Sequence, residues 1–117
     1  MPRYIFMFMS IVNSTAVDLM RSRYEAFIKQ DFEHLLKTHD PETLSEFDID
    51  ANKKWASDVV FTKLEIISSH ENGKTAVVEF KAHFIEKKSG LSHVHHERSE
   101  FRKINKNWYF RNGQLVD

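Results

Sequence analysis

The chain has no cysteine, three glycines and two prolines in 117 residues. Without cysteine there can be no disulfide, no thiolate zinc site and no cysteine nucleophile, which suits a reducing cytoplasm, the expected location. Gly and Pro this scarce exclude collagen-like, linker and low-complexity chains. Neither sign of charge is in excess, since 17 Lys and Arg balance 17 Asp and Glu. A neutral chain lacks the basic footprint that nucleic acid or an anionic membrane requires, so neither is expected as a partner. No apolar run approaches the ~20 residues of a membrane span.

What is present is a core. Aromatic residues make up 13% of the chain, ten of them Phe, and the length suits one domain rather than two. At the N-terminus, YIFMFMSIV follows Pro2 and Arg3. It is read as an apolar extension, residues 1–12, that packs on the domain or frays. The alternative is the core of a weak signal peptide, with Ser14, Thr15 and Ala16 near a cleavage point. The single domain is assigned to residues 13–117.

From Ser14 or Thr15 as N-cap, the spacing of Val17, Met20, Tyr24, Phe27 and Ile28 predicts an amphipathic helix to about Lys29, made to lie across a sheet. Asp31 caps a second short helix carrying Phe32, Leu35 and Leu36, and Pro41 suits the start of a third carrying Leu44 and Phe47. Asp48 to Asp58 reads as a loop or one further turn, anchored by a substantially buried Trp55. The period then falls to two, predicting strands near 59–69, 74–86, 93–104 and 108–112, with Asn72 and Gly73 as a hairpin signal. Helices followed by antiparallel strands make an α+β plan with the sheet wrapped around the main helix.

The stretch from His93 to Gly113 organises the rest. In a strand, His93, His95, Glu97, Ser99 and Phe101 share one face, and Val94, His96, Arg98, Glu100 and Arg102 share the other. The first set places acid, base and donor groups beside an apolar residue, as at the floor of a pocket.

Several strings carry a resemblance. Leu19 to Tyr24 (LMRSRY) with Ala26 and Phe27 form the first. Thr38, Pro41, Trp55, Leu64 and the alternation Phe80, Ala82, Phe84 follow. Glu97, Arg98, Ser99 and Phe101, then Trp108, Tyr109 and Gly113, complete it. Over roughly residues 14–113 the chain resembles the YchJ-like family, whose middle domain has the nuclear transport factor 2-like (NTF2-like, SnoaL-like) fold. The resemblance implies a cone of curved antiparallel sheet closed by helices, and assigns no activity. Many relatives carry cysteine-rich SEC-C motifs, which this cysteine-free chain does not match. Where the family usually reads Thr-Trp-His-Pro, this chain has Thr38, His39, Asp40 and Pro41, so no role for that Trp and His is carried over. Relatives commonly read Asp-Gly where this chain has Asn112 and Gly113.

The best chemical constellation is Glu97 with His95 and Ser99. In a dry cone a carboxylate can act as a general base, with His95 or Tyr24 as its acid partner. The competing and favoured reading makes Glu97 a buried acceptor paired with Arg23 of the first helix, tying helix to sheet. Arg23, Trp55, Ser99, Trp108 and Thr38 are expected in the pocket or in a structural polar cluster, with Trp108, Phe110, Phe80 and Phe84 as core. His93 and His95 form a His-x-His pair that lacks a third ligand, so no metal and no cofactor are assigned. Functionally the reading is a non-catalytic module binding a small molecule or a protein. The alternative is a small lyase or isomerase using Glu97. The opposite sheet face, with Glu79, Lys81, His83, Arg98, Glu100 and Arg102, is charged of both signs and suits a monomer or a weak polar homodimer.

Overall fold

The structure is a computed structural model that describes residues 15–117. The apolar extension therefore lies outside the described residues. Helix α1 spans Ala16–Lys29, and its start is fixed twice: Thr15 Oγ1 accepts from Asp18 N at 3.0 Å, and Glu71 Oε2 accepts from Ala16 N at 2.9 Å. A carboxylate there also complements the helix dipole. The buried stripe is Ala16, Leu19, Met20, Arg23 and Ala26, turned from the expected face, and Ile28 near the helix end is 46% exposed.

Helix α2 spans Phe32–Lys37, capped by Asp31 as expected. The helix expected after Pro41 shrinks to a 3-10 turn, Leu44–Glu46, while the supposed loop is a full helix α3, Ile49–Asp58. Asp48 accepts from Ala51 N at 3.0 Å and caps α3, a signal that the charged composition of the segment hid.

The sheet is a meander of four antiparallel strands in the order β1-β2-β3-β4. They are β1 Val59–Asn72, β2 Thr75–Glu86, β3 Ser92–Ile104 and β4 Asn107–Leu115. Its two tight turns use positive φ where the hairpins need it: Gly73 at 63°, then Asn105 at 48° and Lys106 at 73°. Strict alternation fails in β1, where register shifts fall between Phe61 and Lys63 and between Ile66 and Ser68. Each shift inserts one residue, so Phe61, Leu64 and Ile66 pair with Phe84, Ala82 and Phe80 and face the same side. Such bulges bend and twist a strand, which gives the sheet its curvature.

The core fills one end of the cone. Ala16, Leu19 and Met20 of α1 meet Ala76, Val78, Phe80, Ala82, Phe101 and Trp108 of the sheet. On the convex face His83 pairs with Glu65 at 2.5 Å, and Glu79 takes both His96 at 2.8 Å and Arg98 at 3.1 Å. Among the described residues no helix is long and apolar enough to cross a membrane.

Candidate functional site

The free edge of β4 is covered by the segment that follows α2. Phe110 N donates to Thr38 O at 2.9 Å and Asp40 N donates to Phe110 O at 2.8 Å, a short parallel pairing with His39 opposite Phe110. This brings Asp40, with no exposed surface, under two arginines of the sheet. Arg102 grips it bidentately, Nε and Nη2 each at 2.7 Å, and Arg111 Nη1 donates at 2.9 Å. Glu42 N adds a backbone donor at 2.9 Å, and the Glu42 carboxylate takes Arg111 at 2.8 Å. Burial alone would raise the Asp40 carboxyl, but the arginine bonds and the Glu42 amide outweigh it and hold it low, at about 2.

Between α1, α3 and the upper sheet the cone stays open, with a cavity of about 620 Å³. Its floor is the concave face of β3, as the alternation predicts. His95 Nε2 and Glu97 Oε1 are 2.7 Å apart, and Ser99 Oγ donates to Glu97 Oε2. Ser99 pairs with Gly113 on β4, and the Glu97 carboxyl lies over that glycine. A Cβ at Gly113 would collide with the carboxyl group and come within 3.2 Å of Glu97 Cγ. Glycine is needed here for space, since its backbone is not left-handed.

An aromatic wall closes one side. Trp55 of α3 meets Phe61 at 5.1 Å, Phe84 at 5.5 Å and Phe27 at 5.8 Å, all edge to face. Expected to be substantially buried, Trp55 is half-buried, because the cavity occupies its other side. Tyr24 packs edge-on against Phe61 at 5.6 Å, and burial, with Glu25 adding, raises its phenol, which stays protonated as a donor.

Arg23 enters from α1 and is 7% exposed. Its Nη1 donates to Leu35 O at 2.9 Å and to Thr38 Oγ1 at 2.7 Å, and its guanidinium lies 4.6 Å over the Phe110 ring. Burial pushes it down to about 9, with the field of Glu97 opposing, so it remains charged at neutral pH. The expected Glu97–Arg23 ion pair is not formed. Thr38 and the end of α2 claim one edge of the guanidinium, and His95 and Ser99 claim the carboxylate, so the two act on each other only through space.

Of the residues expected together, Arg23, Tyr24, Trp55, His95, Glu97 and Ser99 do line the cavity. Trp108 does not: it is 1% exposed in the core, and Thr38 stands behind Arg23. Phe110, expected as core, also lines the cavity. His93 is exposed and stacks on Phe84 at 5.4 Å, and among the described residues no group of three or more His, Asp or Glu could hold a metal ion. Sequence reasoning missed His39, Asp40 and Arg111. Their partners lie up to 71 positions away, and no local pattern signals such a contact.

Residues 15–113 match the family described as YchJ, middle NTF2-like domain. The chain belongs to this YchJ-like family. A UPF0225 protein of Geobacter sulfurreducens is 35% identical over 102 residues, covering 85% of this chain and 62% of that protein. A solution structure of an SEC-C motif containing protein from Rhodopseudomonas palustris superposes with a TM-score of 0.81 at 41% identity, covering 89% of this chain and 80% of the other. A crystal structure of another SEC-C motif containing protein, from Psychrobacter arcticus, has a TM-score of 0.72 at 34% identity, covering 90% of this chain and 63% of the other. The chain thus spans about three fifths of the length of the curated Geobacter relative. Within the YchJ-like domain, the Thr38–Pro41 string serves here as edge cover. The His39 ring packs between Phe47 at 5.4 Å and Phe110 at 5.3 Å, and Asp40 anchors the two sheet arginines.

Proposed function

We propose that this YchJ-like domain is a non-catalytic small-molecule-binding module whose ligand occupies the cone. The observation that carries this reading is the cavity itself: about 620 Å³, walled by Trp55, Phe27 and Phe61, with the polar groups of Glu97, His95 and Arg23 converging on it. Apolar walls with a few fixed polar groups, in the range of a few hundred Å³, are the general form of a small-molecule site. A protein surface would instead need an exposed patch, and the concave form favours the smaller partner.

The second reading, a small lyase or isomerase with Glu97 as general base, is favoured by one observation. Glu97, hydrogen-bonded to His95 at 2.7 Å, faces open space rather than packed side chains. Against it, two acceptor positions of the carboxylate are already taken by His95 and Ser99.

A fragment library titrated into 15N-labelled protein tests the proposal by amide and indole NMR shifts. Shifts confined to Tyr24, Phe27, Trp55, Phe61 and His95 are expected. Hits that shift only the convex face, at Glu79, His96 and Arg98, would rule the cone out as the binding site. Glu97→Gln tests the second reading, since it ends any turnover that needs a base.

A further inference from the structure

The site holds an unsatisfied cation. A guanidinium carries five N–H donors, and Nη1 spends both of its own on Leu35 O and Thr38 Oγ1. The donors on Nε and Nη2 meet no acceptor among the described residues. They are not sealed in protein either, for among the described residues the sealed polar side-chain atoms without a partner are His39 Nδ1 and Trp108 Nε1. Arg23 is more than nine-tenths buried and lines the cavity, so its free edge opens into that space. Phe110 lies beneath the guanidinium, with Cζ 4.6 Å from the ring centroid.

Resting on the cone-binding reading above, we infer that the ligand is a monoanionic carboxylate with an aromatic or apolar body. Its carboxylate bridges Nε and Nη2 of Arg23, and its body lies against Trp55 and Phe61. The Nε–Nη2 edge of an arginine matches a planar carboxylate with two parallel hydrogen bonds. A dianion such as a phosphate monoester fits poorly. The other arginine at the cavity, Arg111, is committed to Asp40 and Glu42, while Glu46, Asp48 and Glu97 add negative charge to the lining. One free guanidinium offers a single site of charge-assisted binding, and those carboxylates repel any second negative charge on the ligand. The aromatic wall supplies edges and faces for a flat body to pack on.

The test compares matched probes on the wild-type chain: 2-naphthoate, its neutral amide 2-naphthamide, and 2-naphthyl phosphate, each titrated by 15N NMR with the Arg23 Nε–H and the Trp55 indole followed. The carboxylate is expected to bind at least about tenfold tighter than the amide, the ratio expected when one charge-assisted hydrogen-bond pair is lost. It should also shift the Arg23 Nε–H, and keep most of its preference in high salt, because a buried pair is weakly screened. Arg23→Gln should remove the preference of the site for the carboxylate over the amide. The wild-type ratio stands as a test even if that variant fails to fold. Equal binding of carboxylate and amide, with shifts in the cavity, overturns this inference and leaves the cone-binding reading intact. Tighter binding of the phosphate overturns the charge assignment. If none of the three shifts a cavity signal, both the cone-binding reading and this inference fall.

Discussion

The knot at Asp40 and the cavity at Arg23 use the same residue types with opposite results, and Phe110 touches both. Its carbonyl accepts from Asp40 N, and its ring lies under Arg23. At the knot the buried carboxylate is saturated by three guanidinium bonds and a backbone amide. At the cavity the buried guanidinium uses two of its five donors, and the nearby carboxylate is bonded to other partners. A buried charge whose partners saturate it is structural, whereas one left short of partners beside open space is available to a ligand. Burial alone does not tell them apart. Counting donors and acceptors does.

The largest expected effect follows at the knot. Asp40→Ala removes three guanidinium bonds and leaves Arg102 and Arg111 with Glu42 as their remaining carboxylate partner, so it should cost about 3 kcal/mol in denaturant unfolding, the low end for a broken buried ion pair. The pH dependence has a definite sign. Because the folded carboxyl is held below its ordinary 3.8, at about 2, its contribution is complete above pH 3.8 and is lost as pH falls from there through about 2. Stability of the wild type should therefore fall more steeply across that interval than stability of Asp40→Asn. Parallel acid profiles would mean that the knot is not what holds the edge segment on β4.

A smaller effect sharpens the comparison at the cavity floor. Gly113→Ala forces its methyl into the Glu97 carboxyl and should cost about 1–3 kcal/mol, as overpacking does. The cost should vanish in a Glu97→Ala background, where the obstructing group is gone. If Ala at position 113 costs as much there, the glycine answers to the backbone rather than to Glu97.

The fold and half of this site were legible before any coordinates. Alternation in β3 puts His95, Glu97 and Ser99 on one face because side-chain direction in a strand is a local property. The face of β1 was not legible, since two inserted residues break the period and only pairing with β2 reveals them. Helix α3 was overlooked because its exposed, charged surface outweighs Ala56 and Trp55 in any pattern count, although Asp48 was there as a cap. The knot was out of reach for a different reason. Asp40 meets Arg102 and Arg111 only after the chain has folded back across 62 and 71 positions.

The smallest expected effect is the most discriminating. The sequence reading makes Arg23 and Glu97 a strut, which would give their double-mutant cycle a coupling of several kcal/mol. The geometry separates the two losses. Arg23→Ala removes bonds to Leu35 O and Thr38 and the stack on Phe110, none of which involves Glu97. Glu97→Ala deprives Ser99, 1% exposed, of its acceptor and frees His95, neither of which touches Arg23. Each single change is measurable, about 1–3 kcal/mol where a buried donor or acceptor loses its partner. Groups without a shared partner add to within about 0.5 kcal/mol, and the field of Glu97 on Arg23 adds to this without the bonds of a direct pair. Denaturant titrations of the two single mutants and the double mutant measure it. A coupling of several kcal/mol would restore the strut, remove the free cation from the cavity and erase the contrast with Asp40. A coupling under about 1 kcal/mol leaves the free edge of Arg23 to a ligand.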